Sequence, residues 1–357
     1  MYHDIRQRLE DREESLSPYA AKSRLTRGRA NIETPSPMRT EFQRDRDRII
    51  HSKAFRRLKH KTQVFVAPQS DHYVTRLTHT LEVSQIARSI ARALNLNEDV
   101  AEAISLGHDL GHTPFGHVGE EVLNQLCSRG FAHNEQSLRV VDLLEKEGRG
   151  LNLTWEVRDG ILKHSKTRQD ILVGISDAPG TLEARICRLA DSIAYINHDI
   201  DDAIRAGLIT EGDLPKKSVA VLGNSRSKRI NTLACDTIDQ SWAASGIDHS
   251  GKSPVITMSS RVLEAANIMR EFLFQKVYYA EATRGETERS KHMLRFLYMY
   301  FNQNPDKLPH EYSSDDDVER RVVDYIAGMT DNYALKLAEE LGYLDTKHQE
   351  FQYEHHR

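Results

Sequence analysis

The sequence predicts an all-α fold, a helical bundle with additional helices toward its C-terminal end. Apolar residues recur at helical spacing in most segments between residues 39 and 341. The clearest example covers residues 182–206, where isoleucines and leucines follow one another in steps of three and four. The chain contains neither a Gly-rich phosphate loop nor a dinucleotide-binding fingerprint, either of which would favour an α/β fold.

Composition limits the class of protein. The chain has 357 residues, 39% of them hydrophobic, which is enough for one large helical domain or two domains that share an interface. A net charge of −4 does not indicate a nucleic-acid or membrane binder. The three cysteines are few and widely spaced, as in proteins with reduced thiols. No apolar run approaches the roughly 20 residues of a membrane-spanning helix, so we expect a cytoplasmic protein with no membrane partner.

Composition also divides the chain into five regions. Residues 1–37 are polar and contain three prolines, which predicts an irregular arm with at most a short helix, or a floppy terminus. Residues 38–206 form the predicted catalytic core, and residues 207–256 form a polar excursion with one helix at about 226–242. Residues 257–343 are predicted to add C-terminal helices to the same globule, and residues 344–357 form a tail.

The first helical pattern of the core is strongly basic. Lysines and arginines alternate with apolar residues from Arg39 to Lys61, which predicts one amphipathic helix with a basic face. A solvated charged face is one interpretation. Because acidic residues are few among these bases, the other is an anionic partner, either a triphosphate or a nucleic acid.

Two predicted helices carry histidines on their buried faces. A short extended piece, Gln63–Val66, precedes the first helix, in which His79 lies one turn before Val83. The second helix starts near Asn97 and carries His108. Either histidine alone could be a satisfied core residue. Asp109 follows His108 directly, and because a carboxylate is costly to bury unpaired, the three together favour a cation site.

The remaining helices follow in order. Residues 134–175 are predicted to be helical, then residues 182–206, and three further helices lie at about 260–279, 286–301 and 318–341. Asp191, Tyr195 and Asp199 share one face of the 182–206 helix, and periodicity does not decide whether that face is exposed or belongs to a site. Asp315–Asp317 precedes a helix, where helix capping explains the acidic residues better than metal binding does.

The stretch from His108 to Glu120 holds most of the reactive side chains. Three histidines, an aspartate and a glutamate lie among three glycines and a proline. With His79, His108, Asp109 and Asp191 as ligands, two imidazoles and two carboxylates suit Mn²⁺, Mg²⁺, Fe²⁺ or Zn²⁺. Four protein ligands leave positions open for water and a substrate oxygen, which predicts phosphoester hydrolysis.

Further side chains around this set suit acid–base chemistry and phosphate binding. His112, His117 and His133 are candidates for proton transfer near neutral pH. Glu120 lies three residues after His117, so on a helix its carboxylate could orient that imidazole. Arg76 lies one turn before His79, and its guanidinium could bind phosphate oxygens.

These motifs resemble a known family. The ordered set His79, His108-Asp109 and Asp191 is similar to the signature of HD-domain metal phosphohydrolases. Residues 39–52 (RTEFQRDRDRIIHS), 55–59 (FRRLK), 108–120 and 324–331 (DYIAGMTD) resemble bacterial deoxyguanosine triphosphate triphosphohydrolases. The resemblance covers residues 30–343. It implies a helical HD-domain enzyme that converts a dNTP into a deoxynucleoside and intact triphosphate through water attack at the α-phosphorus.

The resemblance also implies roles for single residues. His79, His108, Asp109 and Asp191 become the ligands of a divalent metal ion, Mn²⁺, Mg²⁺ or Fe²⁺. His117 resembles the histidine that acts on the 5′ oxygen, and Glu120 its carboxylate partner, which is an aspartate in a related mammalian enzyme. The remaining matches line the substrate: His112 and His133 at the phosphates, Arg76 at the triphosphate, Gln63 at the 3′ hydroxyl, and Tyr195 and Asp199 at the deoxyribose.

Family members are homo-oligomers, often tetramers or hexamers, and some bind a regulatory dNTP or single-stranded DNA. The basic residues 39–61 could serve a regulatory site. Two alternatives remain open at this point. One is a different HD-domain nucleotide phosphohydrolase, and the other is a nucleic-acid-binding protein that uses residues 39–61. The sequence does not set the base preference, the metal or the number of ions.

Overall fold

The computed structural model describes residues 4–63, 73–165, 171, 178–247, 253–278, 281–312 and 316–343. The all-α prediction is confirmed: within these ranges the structure is helical, with two isolated β-bridges and no strand. The helices are α1 (Ile5–Glu13), α2 (Glu41–Ile50), α3 (Lys53–Arg57), α4 (Arg76–Ala93), α5 (Glu98–Gly107), α6 (His117–Leu126), α7 (His133–Arg139), α8 (Glu145–Gly148), α9 (Trp155–Leu162), α10 (Leu182–Arg205), α11 (Lys216–Leu222), α12 (Arg226–Gln240), α13 (Ser260–Leu273), α14 (Glu281–Gln303), α15 (Val318–Gly328) and α16 (Asp331–Glu340).

Side-chain caps explain where many of these helices begin. Thr40 and Gln43 form a reciprocal capping box at α2, and Asn97 caps α5 ahead of two acidic residues in its first turn. Asp317 caps α15 by accepting from the Arg320 backbone N–H, as the capping interpretation of the acidic run predicts. Asp315 lies outside the described residues.

Three predicted helices are wrong in detail, two of them because a side-chain cap starts a new helix. Residues 39–61 form two helices, since Ser52 caps α3 just after α2 ends. Residues 318–341 divide into α15 and α16 because Thr330 caps a new helix. The predicted helical stretch 134–175 contains α7, a π turn at Val140–Leu144, the short α8, a loop and α9. Parts of that stretch, most of the extended piece at Gln63–Val66, and the tail lie outside the described residues.

Two hydrophobic clusters hold the helices together. The larger cluster is built around α4, α5 and α10, which pack against one another, with α2 and α9 against α5. The smaller joins α6 to the C-terminal helices α14, α15 and α16. The segment between α5 and α6 therefore passes from one cluster to the other. None of the helices in the described residues is long and apolar enough to cross a membrane.

The N-terminal arm packs against this bundle. The Glu13 carboxylate accepts from Ser23 and Asn97, and the Arg29 guanidinium pairs with Asp45 and Glu41. Glu33 accepts from Arg48, from Arg44 at 2.8 Å and from Asn152 Nδ2 at 2.6 Å. The interpretation of residues 1–37 as a floppy terminus is therefore wrong for the described part of the arm.

The Glu33 carboxylate predicts a pH-dependent contribution to stability. Partial burial acts to raise its pKa, but the hydrogen bonds from Arg48 and Asn152 outweigh burial and lower the pKa to about 2 from 4.5. The stabilisation is fully present above pH 4.5 and is lost as the pH falls toward 2. After discounting for solvent screening, we expect Glu33→Gln to lower the free energy of unfolding by about 1 kcal/mol at pH 7.

Urea unfolding at pH 7, 4 and 3 measures this effect. The difference in the free energy of unfolding between the wild-type protein and Glu33→Gln should narrow below pH 4.5. Glu339→Gln, at an exposed position on α16, is the matched control and should change little at any pH. A difference that stays constant down to pH 3 would contradict the assignment to the Glu33 charge.

Candidate metal centre and active site

The four predicted metal ligands meet where α4, α5 and α10 converge. His79 lies in the first turns of α4, and Asp191 lies in α10. His108 caps the C-terminal end of α5, and Asp109 is the next residue. His79, His108 and Asp109 are buried, whereas the Asp191 side chain is 23% exposed. The site is therefore closed on the side of the helices and accessible beside Asp191.

The distances between these side chains suit one shared cation. His79 Nε2 lies 3.2 Å from Asp191 Oδ1 and 4.0 Å from Asp109 Oδ2. His108 Nε2 lies 3.5 Å from Asp109 Oδ1 and 4.0 Å from Asp191 Oδ1. One ligand atom from each of His79, His108 and Asp109 lies within 4.8 Å of the other two. Two imidazole nitrogens and two carboxylates at these separations match the donor set of a divalent transition metal.

The imidazole of His108 is oriented for a metal ion. Its Nδ1 lies 2.6 Å from the Ser105 carbonyl oxygen, to which it donates, so Nε2 carries the lone pair. That Nε2 is buried and has no hydrogen-bond partner within the described part of the chain. An unpartnered buried nitrogen is costly, and a bound cation would remove that cost. The residues present therefore fit a divalent metal ion.

Charges around the site favour the protonation states that metal binding needs. Burial lowers the pKa of His79 and keeps its imidazole neutral. Burial acts in the opposite direction on Asp109, but the neighbouring His108 and Arg76 outweigh it and hold the pKa of Asp109 well below its usual range. Neutral imidazoles and ionised carboxylates are the metal-binding forms of these groups.

Arg76 and Gln63 lie beside the metal centre with unused hydrogen-bonding groups. Arg76 Nη1 donates to Asp109 Oδ2 at 2.6 Å, while its Nε and Nη2 have no partner in the described residues. Gln63 is 8% exposed and its Oε1 also has no described partner. Gly116 adopts a φ of +57°, and a Cβ there would lie 2.9 Å from the Gln63 carbonyl oxygen and 3.0 Å from Arg76 Nη2. Glycine is therefore required at this turn.

The predicted acid–base residues form a second group next to the metal centre. His117 begins α6, and its Nδ1 lies 3.2 Å from Glu120 Oε2. Glu120 also accepts from His133 Nδ1 at 2.8 Å. His112 stacks on His133 with ring centroids 4.4 Å apart, and its centroid is 5.2 Å from that of His117. The structure brings all four side chains together, and helical spacing places Glu120 under His117 as the sequence predicts.

Burial and neighbouring charges shift the pKa values of Glu120, His133 and His112 in this second group. Burial acts to raise the pKa of Glu120, but His133 and His117 outweigh it and lower the pKa strongly. Burial acts to lower the pKa of His133, but the Glu120 carboxylate outweighs it and raises the pKa. Burial lowers the pKa of His112 well below its usual range. The His117 side chain is 74% exposed, so it is the member of the group that reaches solvent.

Side chains from two distant segments, around residues 61 and 331, hold the turn between His112 and His117. Lys61 Nζ donates to the carbonyl oxygens of His112 and Ala327. Asp331 Oδ1 accepts from the Phe115 backbone N–H at 3.0 Å, and its Oδ2 accepts from the Thr62 backbone N–H at 2.9 Å. The C-terminal helices therefore position the turn that carries these two histidines.

One of the predicted sugar residues, Asp199, lies in a buried group of polar side chains that α10 shares with α4 and with the segment after α13. The Tyr278 hydroxyl donates to Asp199 Oδ2, and Asp199 Oδ1 lies 2.7 Å from His198 Nδ1. His198 Nε2 in turn lies 2.9 Å from His79 Nδ1. Tyr195, one turn before Asp199, is partly buried, and burial raises its pKa. Asp199 therefore holds the Tyr278 hydroxyl, and Tyr195 lies between Asp199 and Asp191 along the helix.

Comparison with known proteins identifies the family. A family model for the HD domain matches residues 76–196, and a model for a phosphohydrolase-associated domain matches residues 256–340. The chain is 56% identical over 329 residues to a deoxyguanosinetriphosphate triphosphohydrolase-like protein of Caldanaerobacter subterraneus, covering 91% of this chain and 92% of that one. The chain belongs to the dGTP triphosphohydrolase-like family of HD-domain proteins.

Other members of the family are also similar over most of their length. The protein of the same name from Desulfatibacillum aliphaticivorans is 47% identical, covering 93% of this chain and 96% of that one. The protein of the same name from Clostridium tetani is 46% identical, covering 93% of this chain and 95% of that one. A solved structure of a hypothetical protein from Aquifex aeolicus matches with a TM-score of 0.44 and 21% identity, covering 82% of this chain and 66% of that one.

In this member of the family, much of the basic stretch 39–61 is paired with carboxylates. Arg46 lies 3.0–3.3 Å from Asp47, Asp99 and Glu102. Arg44 pairs with Glu33 and Glu41, and Arg48 pairs with Glu33. Most of these acids come from other segments of the fold. The observation that acidic residues are few within the stretch is therefore a poor guide to its net charge in the structure.

Sequence reasoning missed two histidines next to the site of this family member. His198 contacts the predicted metal ligand His79, and its only sequence signal is the polar face of α10. His164 is 2% exposed, with its ring centroid 4.9 Å from that of His108 and its Nε2 3.1 Å from His133 Nε2. Burial lowers the pKa of His164 to about 3. It follows α9 in a polar segment, where no spacing relative to another ligand marks it.

Proposed function

We propose that this protein is a deoxynucleoside triphosphate triphosphohydrolase that acts on dGTP, with other dNTPs as further candidate substrates. Water attacks the α-phosphorus, the bond from phosphorus to the 5′ oxygen breaks, and a proton passes to that oxygen. The products are the deoxynucleoside and intact triphosphate. The observation that carries the proposal is the meeting of the metal-ligand set with the His117–Glu120 pair around Asp109 and His112.

The chain's own residues would bind and orient the triphosphate. A divalent cation held by His79, His108, Asp109 and Asp191 would supply Lewis-acid polarisation of a phosphoryl oxygen. Arg76 offers two donors for phosphate oxygens, Nε and Nη2, which have no partner among the described residues, while Nη1 donates to Asp109. His133, whose raised pKa favours the imidazolium, offers a positive group on the opposite side of Asp109.

His117 is the proposed proton donor to the 5′ oxygen. Its exposure allows it to reach a bound substrate, and the Glu120 carboxylate accepts from Nδ1 so that Nε2 faces outward. Glu120 also accepts a hydrogen bond from His133, so the proposed proton donor and the proposed phosphate-binding histidine share one carboxylate. Gln63 is the proposed partner of the 3′ hydroxyl, and its buried Oε1, which has no partner among the described residues, supports this role.

Product analysis tests the proposal directly. The purified protein is incubated with each dNTP, singly and mixed, with Mn²⁺ or Mg²⁺, and the products are resolved by anion-exchange chromatography. We expect the deoxynucleoside and intact triphosphate. Pyrophosphate or orthophosphate as the first product would overturn the α-phosphorus reaction, and would instead support a different HD-domain nucleotide phosphohydrolase.

Tyr195 is the proposed determinant of deoxyribose over ribose. Because the Tyr278 hydroxyl holds Asp199, the Tyr195 ring is the side chain of the Tyr195–Asp199 pair that could pack against the sugar and exclude a 2′ hydroxyl. We expect Tyr195→Ala to reduce the preference for dGTP over GTP, measured as the ratio of kcat/KM values, by about tenfold. Tyr195→Phe keeps the ring and should keep the preference. Equal ratios in wild type and Tyr195→Ala would exclude this role.

A regulatory dNTP at residues 39–61 stays a prediction, as does a homo-oligomer. A cavity of about 480 Å³ supports the regulatory dNTP site. Its lining includes Arg39, Arg44, Arg48, His51 and Lys146. Since Arg44 and Arg48 already pair with Glu33, a bound triphosphate would have to compete with that carboxylate. We expect one dNTP to accelerate hydrolysis of another in mixtures, and hyperbolic kinetics in every mixture would contradict it.

A further inference from the structure

A buried histidine on α10 contacts the imidazole of a predicted metal ligand. His198 is 0% exposed, and its Nε2 lies 2.9 Å from His79 Nδ1. The two rings are nearly perpendicular, at 85°, with centroids 5.0 Å apart, so they meet at these nitrogens and do not stack. A hydrogen bond between two ring nitrogens requires a hydrogen on one of them and a lone pair on the other.

The position of this hydrogen follows from the surroundings of the other His79 nitrogen. His79 Nε2 lies 3.2 Å from Asp191 Oδ1 and 4.0 Å from Asp109 Oδ2, so Nε2 is the nitrogen that faces the predicted cation site. A neutral imidazole that binds a cation through Nε2 carries its hydrogen on Nδ1. In that form His79 Nδ1 donates to His198 Nε2. By accepting this bond, His198 favours the metal-binding tautomer of His79.

Asp199 favours the accepting form of His198. Its Oδ1 lies 2.7 Å from His198 Nδ1, and the negative carboxylate attracts a hydrogen to that nitrogen. A neutral ring with its hydrogen on Nδ1 has its lone pair on Nε2, the nitrogen that faces His79. The Tyr278 hydroxyl donates to Asp199 Oδ2 and so helps to hold the carboxylate in place.

Helix α10 supplies groups for both nitrogens of the His79 ring. Asp191 lies beside Nε2, and His198 lies beside Nδ1. These two residues are about two helical turns apart, so they share one face of α10. α4, which carries His79, packs against α10. The ring is therefore held from two sides by one helix, without a contribution from a loop.

The same pattern is present at the other predicted imidazole ligand. His108 Nδ1 donates to the Ser105 carbonyl oxygen at 2.6 Å, which leaves Nε2 for the cation. Proteins usually orient a metal-binding imidazole in this way, with a carbonyl, a carboxylate or water as the acceptor. At His79 the acceptor is another imidazole. Because this acceptor belongs to a side chain, a substitution can remove it.

We propose that His198 is a positioning residue for His79, which it holds in the tautomer and orientation that bind a divalent cation through Nε2. His198 acts through His79 and needs no contact with the substrate. The inference rests on the metal centre of the proposed function and adds a residue that supports it. Hydrogen-bond partners of metal ligands typically contribute about 10- to 100-fold to metal affinity.

Metal affinity measured without substrate tests this role. The full-length protein is stripped with a chelator, and Mn²⁺ is titrated into it at pH 8 by isothermal calorimetry. We expect His198→Leu, which removes the acceptor, to raise the Kd for Mn²⁺ about 10- to 100-fold. His198→Gln has a side-chain oxygen that can accept in place of Nε2, so it should bind Mn²⁺ nearly as tightly as the wild-type protein. His292→Leu, at an exposed position on α14, is the control and should leave the Kd unchanged.

Thermal unfolding shows which variants are folded. A folded His198→Leu protein with the wild-type Kd would overturn the proposal. Equal weakening in His198→Leu and His198→Gln would assign the loss to packing and would overturn it as well. If His198→Leu does not fold, His198→Asn takes its place, because its amide oxygen replaces Nδ1 and not Nε2. Mn²⁺ affinity that depends on His198 in a protein that releases no triphosphate would support this inference and reject the proposed function.

Discussion

Replacing Asp109 with Asn is expected to reduce the kcat of dNTP hydrolysis by about 10³-fold or more. The carboxylate lies within 4.0 Å of both predicted metal-binding histidines and forms a 2.6 Å ion pair with Arg76. Loss of its charge weakens cation binding and leaves the buried Arg76 guanidinium without its partner. Lewis-acid stabilisation by a bound metal is worth several kcal/mol, and each 1.36 kcal/mol corresponds to tenfold in rate.

Two measurements separate this effect from unfolding. Metal content per chain should fall together with kcat, and thermal unfolding should show a folded protein. Asp306→Asn removes an exposed carboxylate whose side chain is 73% accessible, so that variant should keep wild-type activity and metal content. Full activity in a folded Asp109→Asn protein would show that the reaction does not use this metal centre.

The second large effect is expected at His117. We expect His117→Ala to lower kcat by 10²- to 10⁴-fold, the usual contribution of a general acid or base, while metal content stays at the wild-type level. The side chain is 74% exposed and its only described hydrogen bond is to Glu120, so truncation should not disturb the fold. Rates come from triphosphate release, and metal content from mass spectrometry.

His292→Ala, at an exposed position on α14, is the matched control. It should leave kcat and metal content unchanged. A His117→Ala protein that loses its metal would assign the histidine to metal binding. A His117→Ala protein that keeps both its metal content and its kcat would show that His117 takes no part in the reaction. His112 and His133 would then be the remaining candidates for proton transfer.

Local sequence signals predicted much of the fold and of the site. Caps at Asn97 and Asp317 and the apolar stripe of α10 depend on neighbours within a few residues, so they can be recognised without a structure. The same holds for His117 and Glu120, because three residues on a helix place their side chains together. Helical spacing likewise puts Arg76 and His79 on one side of α4.

Contacts between distant segments could not be predicted in this way. The basic stretch 39–61 acquires acidic partners from Glu33, Asp99 and Glu102, which periodicity within the stretch does not reveal. His164 reaches His133 only because α9 packs against both α5 and α7. Periodicity also left Asp191 undecided between solvent and site, and packing of α10 against α4 and α5 placed it 3.2 Å from His79.

The anchoring of the turn between His112 and His117 has a consequence for protein synthesis. Asp331, which fixes the Phe115 backbone, comes long after Asp191, the last of the predicted metal ligands along the chain. A ribosome therefore makes the predicted metal ligands and the proposed proton donor well before it makes this anchor. Until then the growing polypeptide carries these residues without the support that positions them. We expect a nascent chain to gain activity only after the segment that contains Asp331 has been made.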